Sequence, residues 1–229
     1  TIIFAMAPGV RMTELGIRGV DKEVVEAGRA FGATPGRILR QILSRLEDEK
    51  TGEILPRELH AEIPAQRVEQ ARLSAGVLGD DIYSKFPMAN GMQPVSKDLT
   101  ELVLNRTWRP ALAITGVDGL PALDSAGNVL RPFTAVKVSL RLPPTANAVK
   151  SGEFLKQLLE ADPPYASTVT FNLEKAGSGW DAPALAPWLE QAVDEASRTF
   201  FGPPPAYMGE GGSIPFMGML GEKFPGAQF

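Results

Sequence analysis

The chain has 229 residues, of which 44% are hydrophobic and 22% charged, enough to build a packed core in one large or two modest domains. A formal net charge of -4 without a sustained basic stripe argues against nucleic acid as the main partner, and the absence of cysteine excludes disulfides and thiolate chemistry. No run approaches the roughly 18 apolar residues of a membrane span, so we expect a globular cytoplasmic protein with neither nucleic acid nor membrane as partner.

The amino-terminal third predicts one strand followed by two helices. The apolar run Thr1–Met6 is typical of a buried strand, and Asp21 can act as the N-cap of a helix that ends near Gly32. A second helix is expected over Arg37–Glu49, ended by Thr51 and Gly52. Its apolar face is formed by Ile38, Leu39, Ile42, Leu43 and Leu46.

The next stretch is polar and irregular, with helical patches at Pro64–Leu78 and Leu99–Leu104. His60, the one histidine in the chain, lies in this stretch. A surface or capping role is the ordinary expectation for it, because a catalytic histidine needs a partner that this pattern does not identify.

Two strands form a predicted hairpin in the middle of the chain, Ala111–Val117 and Thr134–Leu142, with turn residues between them. The second strand alternates. One face carries Val136, Val138, Leu140 and Leu142, and the other carries Ala135, Lys137, Ser139 and Arg141. From the alternation alone, Arg141 is a solvated residue on the open face of a sheet.

A helix over Val149–Ala161 and a strand over Ser167–Leu173 follow the hairpin. The order strand, helix, strand, strand, helix, strand predicts an α+β fold: a ferredoxin-like split βαβ with a four-stranded antiparallel sheet and helices on one face. An amphipathic helix over Pro183–Phe201, with Trp188 facing inward, and a glycine loop running into a helix over Glu210–Phe224 complete the chain.

Residues Pro8–Pro35 resemble the cytoplasmic coupling loop of ABC-importer permeases of the glycine-betaine type, which reads EAA, three residues, G, nine residues, then I-x-L-P. Glu26, Ala27, Gly32 and Ile42 fit this spacing, whereas Ser44 and Arg45 replace the Leu-Pro pair. A permease needs membrane spans, so we expect the segment 1–36 to be a fused piece that supplies a strand and a helix.

The remainder, residues 37–229, resembles the di-zinc metallopeptidase family of carnosinase, acetylornithine deacetylase and succinyl-diaminopimelate desuccinylase. The matching pieces are RILRQILSRLEDEKTG, NRTWRPALAITGVDG, AGNVLRPFTAVKVSLRLPP and EGGSIPFMGML. The resemblance implies a lid and dimerisation domain over 37–182, with a helical insertion at about 52–105. It also implies a fragment of the catalytic domain over 183–229, so that the chain is a truncated and chimeric member that dimerises through the lid sheet and helices.

The resemblance also implies a substrate site. Asn128 and Arg141 match lid residues that contact substrate, the arginine holding a carboxylate, and Gly211, Gly212 and Ser213 match a loop that holds the substrate's C-terminal end. The family's HxD motif, glutamate pair and later zinc ligands are missing, so we expect no metal or cofactor in this chain although the parent family uses zinc.

Two functions remain open at this point. The first is a dimerising lid module that binds a small peptide or an N-acyl amino acid without a zinc site of its own. The alternative is a hydrolase of small esters or amides, either completed by another chain or using Ser213 and His60 as catalytic residues.

Overall fold

A computed structural model describes residues 11–16, 35–89, 91–126, 133–210 and 215–228. The prediction of a mixed helix and sheet protein is confirmed. The strand predicted at Thr1–Met6 and the helix predicted from Asp21 to Gly32 lie outside the described residues. Among the described residues, no helix is both long and apolar enough to cross a membrane.

The described chain contains four strands and seven helices, with four helices between the first two strands. The strands are β1 (Arg11–Gly16), β2 (Ala111–Asp118), β3 (Ala135–Arg141) and β4 (Thr170–Phe171). The helices are α1 (Pro35–Leu43), α2 (Ala65–Leu78), α3 (Asp81–Ser84), α4 (Leu99–Thr107), α5 (Ala148–Glu160), α6 (Pro187–Phe201) and α7 (Pro215–Lys223). Short 3-10 turns lie at Arg57–Leu59, Leu123–Ser125 and Pro164–Ala166.

The four strands form one antiparallel sheet in the order β2-β3-β1-β4. β3 is an inner strand, and its register places Leu112 opposite Leu140 and Val117 opposite Val136. The predicted alternation in β3 is confirmed for its apolar face, because Val136, Val138 and Leu140 are all buried. Ala135, expected on the polar face, is buried as well.

Two apolar cores hold the fold together. The first lies between β3 and the helices α1 and α5; its buried members are Ile42, Leu46, Ile54, Leu59, Val136, Val138, Leu140, Leu155, Leu159 and Phe171. The second joins α2, α3 and α4; its buried members are Ala71, Ala75, Ile82, Val103, Leu104 and Trp108. The predicted apolar face around Ile42 is therefore correct, and it serves the first core.

Helix α1 ends at Leu43, earlier than the predicted end at Glu49. The next residues form turns, and Glu47 pairs with Ile54 in an isolated antiparallel bridge. The Arg45 side chain binds another part of the chain at this point. Its guanidinium donates to the carbonyl oxygens of Leu158, in α5, and Asp162, just after α5, at 2.9 and 2.7 Å. These tertiary contacts replace the last turns of the predicted helix.

Strand β4 is limited to Thr170 and Phe171, whereas the alternation predicted a strand over Ser167–Leu173. The two residues pair with the end of β1 at the sheet's edge. The backbone N–H of Phe171 donates to the Glu160 carboxylate at 2.8 Å. A side chain of α5 therefore satisfies a donor that a neighbouring strand would otherwise use.

Helix α6 begins at Pro187, and the prediction that Trp188 faces inward is wrong, since this side chain is 67% exposed. Phe200 and Phe201 at the end of the helix are also exposed. The amphipathic pattern places Leu185, Leu189 and Val193 at intermediate burial, so the helix lies at the surface with a partly covered apolar stripe.

The segment before α7 lies across the second core. The Ser74 hydroxyl of α2 donates to the carbonyl oxygen of Tyr207 at 2.7 Å, and Met208 packs against the core. A Cβ at Gly209 would lie 3.6 Å from the side chain of Thr107, so the backbone here passes close to the end of α4. These contacts fix the path of the chain into Glu210.

Candidate anion-binding site

Arg141 is the last residue of β3 and pairs with Ala111, the first residue of β2. Its Nη1 donates to the carbonyl oxygen of Arg106 at 3.2 Å, which ties the strand's end to the last turn of α4. In the part of the chain that the structure describes, no carboxylate pairs with Arg141. The guanidinium therefore keeps donors available for an acidic group.

Arg106 contributes a second guanidinium, near enough for its charge to lower the pKa of Arg141. The central carbon of its guanidinium, Cζ, lies 5.8 Å from the centre of the Phe86 ring, a distance suited to a cation–π contact. Arg109, two residues after the end of α4, belongs to a separate ion pair, because its Nη1 lies 2.6 Å from the Glu101 carboxylate. The local excess of positive charge thus comes from Arg106 and Arg141.

Glu210 supplies the acidic group of the cluster. Its Oε2 lies 3.6 Å from Nη2 of Arg106, and both side chains are partly exposed. This separation is too long for a strong hydrogen bond, and exposed ion pairs of this kind contribute about 1 kcal/mol or less. One carboxylate therefore loosely balances one of two guanidinium groups.

Burial of part of the guanidinium and, second, the charge on Arg106 lower the pKa of Arg141 below the usual arginine value. Both causes disfavour the protonated guanidinium, and an anion placed beside it opposes both. Arginine stays protonated at neutral pH even after such a change, so the site is cationic under ordinary conditions.

Arg106 and Glu210 were not among the site residues predicted from the sequence. Both stand within motifs that carry the family resemblance, NRTWRP and EGGSIP, yet neither motif indicates that the two side chains meet. Their contact depends on how α4 and the segment after Tyr207 pack on the second core, which is a long-range feature.

Four of the predicted substrate-binding residues lie outside the described residues: Asn128, Gly211, Gly212 and Ser213. Glu210 directly precedes this glycine loop in the sequence, and Arg106 contacts both Glu210 and Arg141. The described chain therefore brings Arg141 and the start of the predicted loop to a common neighbour. The roles assigned to the four residues remain predictions.

His60 follows a 3-10 turn, and its Nε2 lies 2.5 Å from the carbonyl oxygen of Ile54. Because a carbonyl only accepts, this nitrogen carries the proton and donates it. The contact joins the two ends of a loop beside the first core. Ser213, the catalytic partner predicted for His60, lies outside the described residues, so their pairing also remains a prediction.

A shallow groove of about 430 Å³ lies toward the other end of the β2-β3 pair, lined by Gly116, Asp118, Lys137 and Glu174 among others. Lys137 is four residues before Arg141, about 13 Å along an extended strand. Its ammonium group is paired with Glu174 at 2.5 Å. Among the described residues that line this groove, no cation is unpaired as Arg141 is.

No three side chains among His, Asp and Glu converge as a metal-ligand group in the described ranges. A water-activating zinc site uses three such protein ligands. The described residues therefore do not fit a catalytic zinc ion.

No protein-family model matches this chain. A segment of 42 residues, 18% of the chain, matches betaine permeases. It is 55% identical to the glycine betaine/carnitine transport permease protein GbuB of Listeria monocytogenes, 50% to the glycine betaine/proline betaine permease protein ProW of Salmonella typhimurium and 48% to that of Escherichia coli. The match covers 15%, 12% and 12% of those proteins, so the predicted permease resemblance is confirmed for a short segment only.

Most of the chain is similar in structure to metallopeptidases. Human carnosine dipeptidase 1 matches with a TM-score of 0.62 and 18% identity, over 93% of this chain and 46% of that one. The dipeptidase Dug1p of Saccharomyces cerevisiae gives 0.61 and 19%, over 95% and 47%, and an M20 family metallo-carboxypeptidase of Sulfolobus solfataricus gives 0.60 and 17%, over 95% and 56%. The chain thus spans about half the length of these solved structures and shares the fold of that half.

Proposed function

We propose that residues 37–229 act as a substrate-binding and dimerising lid module of the M20 type, which holds the carboxylate of a small peptide or an N-acyl amino acid without a zinc ion of its own. The observation that carries the proposal is that Arg106 contacts both residues: its carbonyl oxygen accepts from Arg141, and its guanidinium lies 3.6 Å from the Glu210 carboxylate. It supports a site at which the end of β3 and the glycine loop after Glu210 act on one ligand.

The chemistry of Arg141 favours a carboxylate ligand. A guanidinium presents parallel N–H donors that match the two oxygens of a carboxylate, and such bidentate pairs are stronger than neutral hydrogen bonds. Among the described residues, no acidic side chain pairs with Arg141, so a ligand carboxylate does not have to displace an internal partner from the guanidinium. Asn128, Gly211, Gly212 and Ser213 are proposed to complete the site, on the sequence resemblance.

The sheet order β2-β3-β1-β4, with α1 and α5 packed on the buried side of β3, supports a ferredoxin-like lid. In this proposal the lid covers residues 37–182 with β1 added from the preceding segment, and α2 to α4 are its helical insertion. Residues 183–229 then correspond to part of a catalytic domain.

A homodimer is proposed to form through the lid. β2 is an edge strand of the sheet, and its Ile114 and Val117 side chains are each more than half exposed. Edge strands offer unpaired backbone groups for pairing with a second sheet. Sedimentation equilibrium should give a dimer for the wild-type chain and a monomer for Ile114→Lys, whereas a monomeric wild type would refute this part of the proposal.

Binding of N-acetyl-L-asparagine, followed by NMR titration, tests the ligand site. We expect Arg141→Gln to weaken binding by about tenfold or more, as expected for loss of a charge-assisted hydrogen bond. Arg198→Gln is the matched control, because it removes an exposed arginine that pairs within α6. Equal affinity of the wild type and Arg141→Gln would refute the proposal.

A further inference from the structure

We propose that Glu210 sets the charge selectivity of the Arg141 site: by neutralising Arg106 it leaves one guanidinium for the ligand, so that a monocarboxylate is accepted in preference to a dicarboxylate. This inference rests on the proposed function, because it concerns the same ligand site. It assigns a specificity role to two residues, Arg106 and Glu210, that are not needed to hold the first carboxylate.

The charge balance of the cluster is the basis of this inference. Arg141 donates to the main-chain carbonyl of Arg106, and the Arg106 guanidinium is near enough for its charge to lower the pKa of Arg141. Glu210 is the acidic group beside Arg106, with its Oε2 3.6 Å from Nη2 of Arg106. The cluster therefore carries one unit of positive charge, which matches one carboxylate. A second ligand carboxylate would meet a guanidinium that is already balanced, and it would lie near the negative charge of Glu210.

The backbone that leads to Glu210 is anchored independently of a ligand. The backbone before it is anchored by the hydrogen bond from Ser74 to Tyr207, by packing of Met208 and by the close passage of Gly209 along Thr107. Its carboxylate is thus presented to Arg106 by the packing of the second core. A change of its side chain leaves these backbone contacts intact.

Arg106 has supports other than Glu210. It lies in α4, its guanidinium carbon is 5.8 Å from the centre of the Phe86 ring, and its carbonyl oxygen accepts from Arg141. Replacing Glu210 by glutamine should therefore leave Arg106 in position with an unbalanced charge. The distance of 3.6 Å to Glu210 also means that little direct bonding is lost.

The test uses two ligands of nearly equal shape and different charge, N-acetyl-L-asparagine and N-acetyl-L-aspartate, with NMR-determined dissociation constants at low salt. The wild type should bind the asparagine compound more tightly. Glu210→Gln should improve binding of the aspartate compound relative to the asparagine compound by about fivefold, the upper range for a partly exposed charge pair. Arg106→Gln combined with Glu210→Gln should abolish that gain.

Glu195→Gln is the matched control, since it removes the same charge from an exposed position on α6 and should leave the ratio of the two affinities unchanged. Arg141-dependent binding with no change of the ratio in Glu210→Gln would overturn this inference and leave the proposed function standing. Binding that does not depend on Arg141, or no binding of either compound by the wild type, would overturn both. Thermal unfolding of every variant verifies that the fold is retained.

Discussion

Replacing Val136 by alanine should destabilise the protein far more than the same change at Val117, its partner across the β2-β3 pair. The two valines face each other in the register, yet Val136 is 2% exposed and Val117 is 54% exposed. The difference arises because the first core covers β3, whereas this end of β2 lies at the sheet's edge. The pair therefore tests the position of that core with a single chemical change.

The expected magnitudes follow from burial. Val→Ala removes two carbon groups, each contributing about 0.8 kcal/mol when fully buried, which gives about 1.6 kcal/mol at Val136. The cavity left in a packed core raises this to about 2.5 kcal/mol. At Val117, where about half of the side chain is already in water, the loss should be about 0.7 kcal/mol with no cavity contribution.

Urea unfolding followed by circular dichroism measures both changes. Each variant is measured at two protein concentrations, so that any contribution from self-association through β2 is separated from the stability of the chain. Equal losses for the two variants, or a larger loss at Val117, would refute the assignment of β3 to the centre of the core and β2 to its edge.

Three further predictions concern turns and loops outside the ligand site. Gly119→Ala should lower the free energy of unfolding by about 2 kcal/mol or more, because φ is +78° and the new Cβ would lie 2.3 Å from the carbonyl oxygen of Phe133. Gly91→Ala, where φ is +85° but the surrounding space is open, should lower it by about 1 kcal/mol in the same urea assay. Hydrogen bonds to the Asp48 carboxylate lower its pKa below 3.8, and the bond from the Thr51 N–H has the largest effect. These bonds therefore stabilise the fold above pH 3.8, and this stabilisation is lost as the carboxylate is protonated in acid. Asp48→Asn should therefore be less stable than the wild type at pH 7, and the difference in free energy of unfolding should shrink below pH 3.8. A difference that grows in acid would contradict this pH dependence. His60→Ala should lose about 1 kcal/mol through its carbonyl contact in urea unfolding and leave N-acetyl-L-asparagine binding unchanged in NMR titration.

The sequence was most informative where burial follows a simple period. The alternation of β3 and the apolar face around Ile42 both describe the first core correctly, because each reports one element packed against one layer. Element ends were less predictable: α1 ends early because Arg45 binds the end of α5. β4 is limited to two residues, and the Phe171 N–H binds the Glu160 carboxylate, a contact between residues 11 apart that the strand alternation does not predict.

The candidate site needed information that local patterns lack. Arg141 was identified through a family resemblance, since its position on a strand suggested only a solvated residue. Arg106 and Glu210 came together through the packing of α4 and the segment after Tyr207 on the second core. Neither periodicity nor spacing relates residues that are so distant in the chain, so their ion pair could not be predicted from the sequence.

The most direct test of the central claim is a cycle that combines one protein change with one ligand change. N-acetyl-L-asparagine and its C-terminal amide are titrated against the wild type and Arg141→Gln. If Arg141 holds the ligand carboxylate, neutralising either group should weaken binding by about tenfold. Neutralising both groups together should weaken binding little more than neutralising one of them. Losses that multiply independently would show that Arg141 and the carboxylate do not interact and would contradict the account.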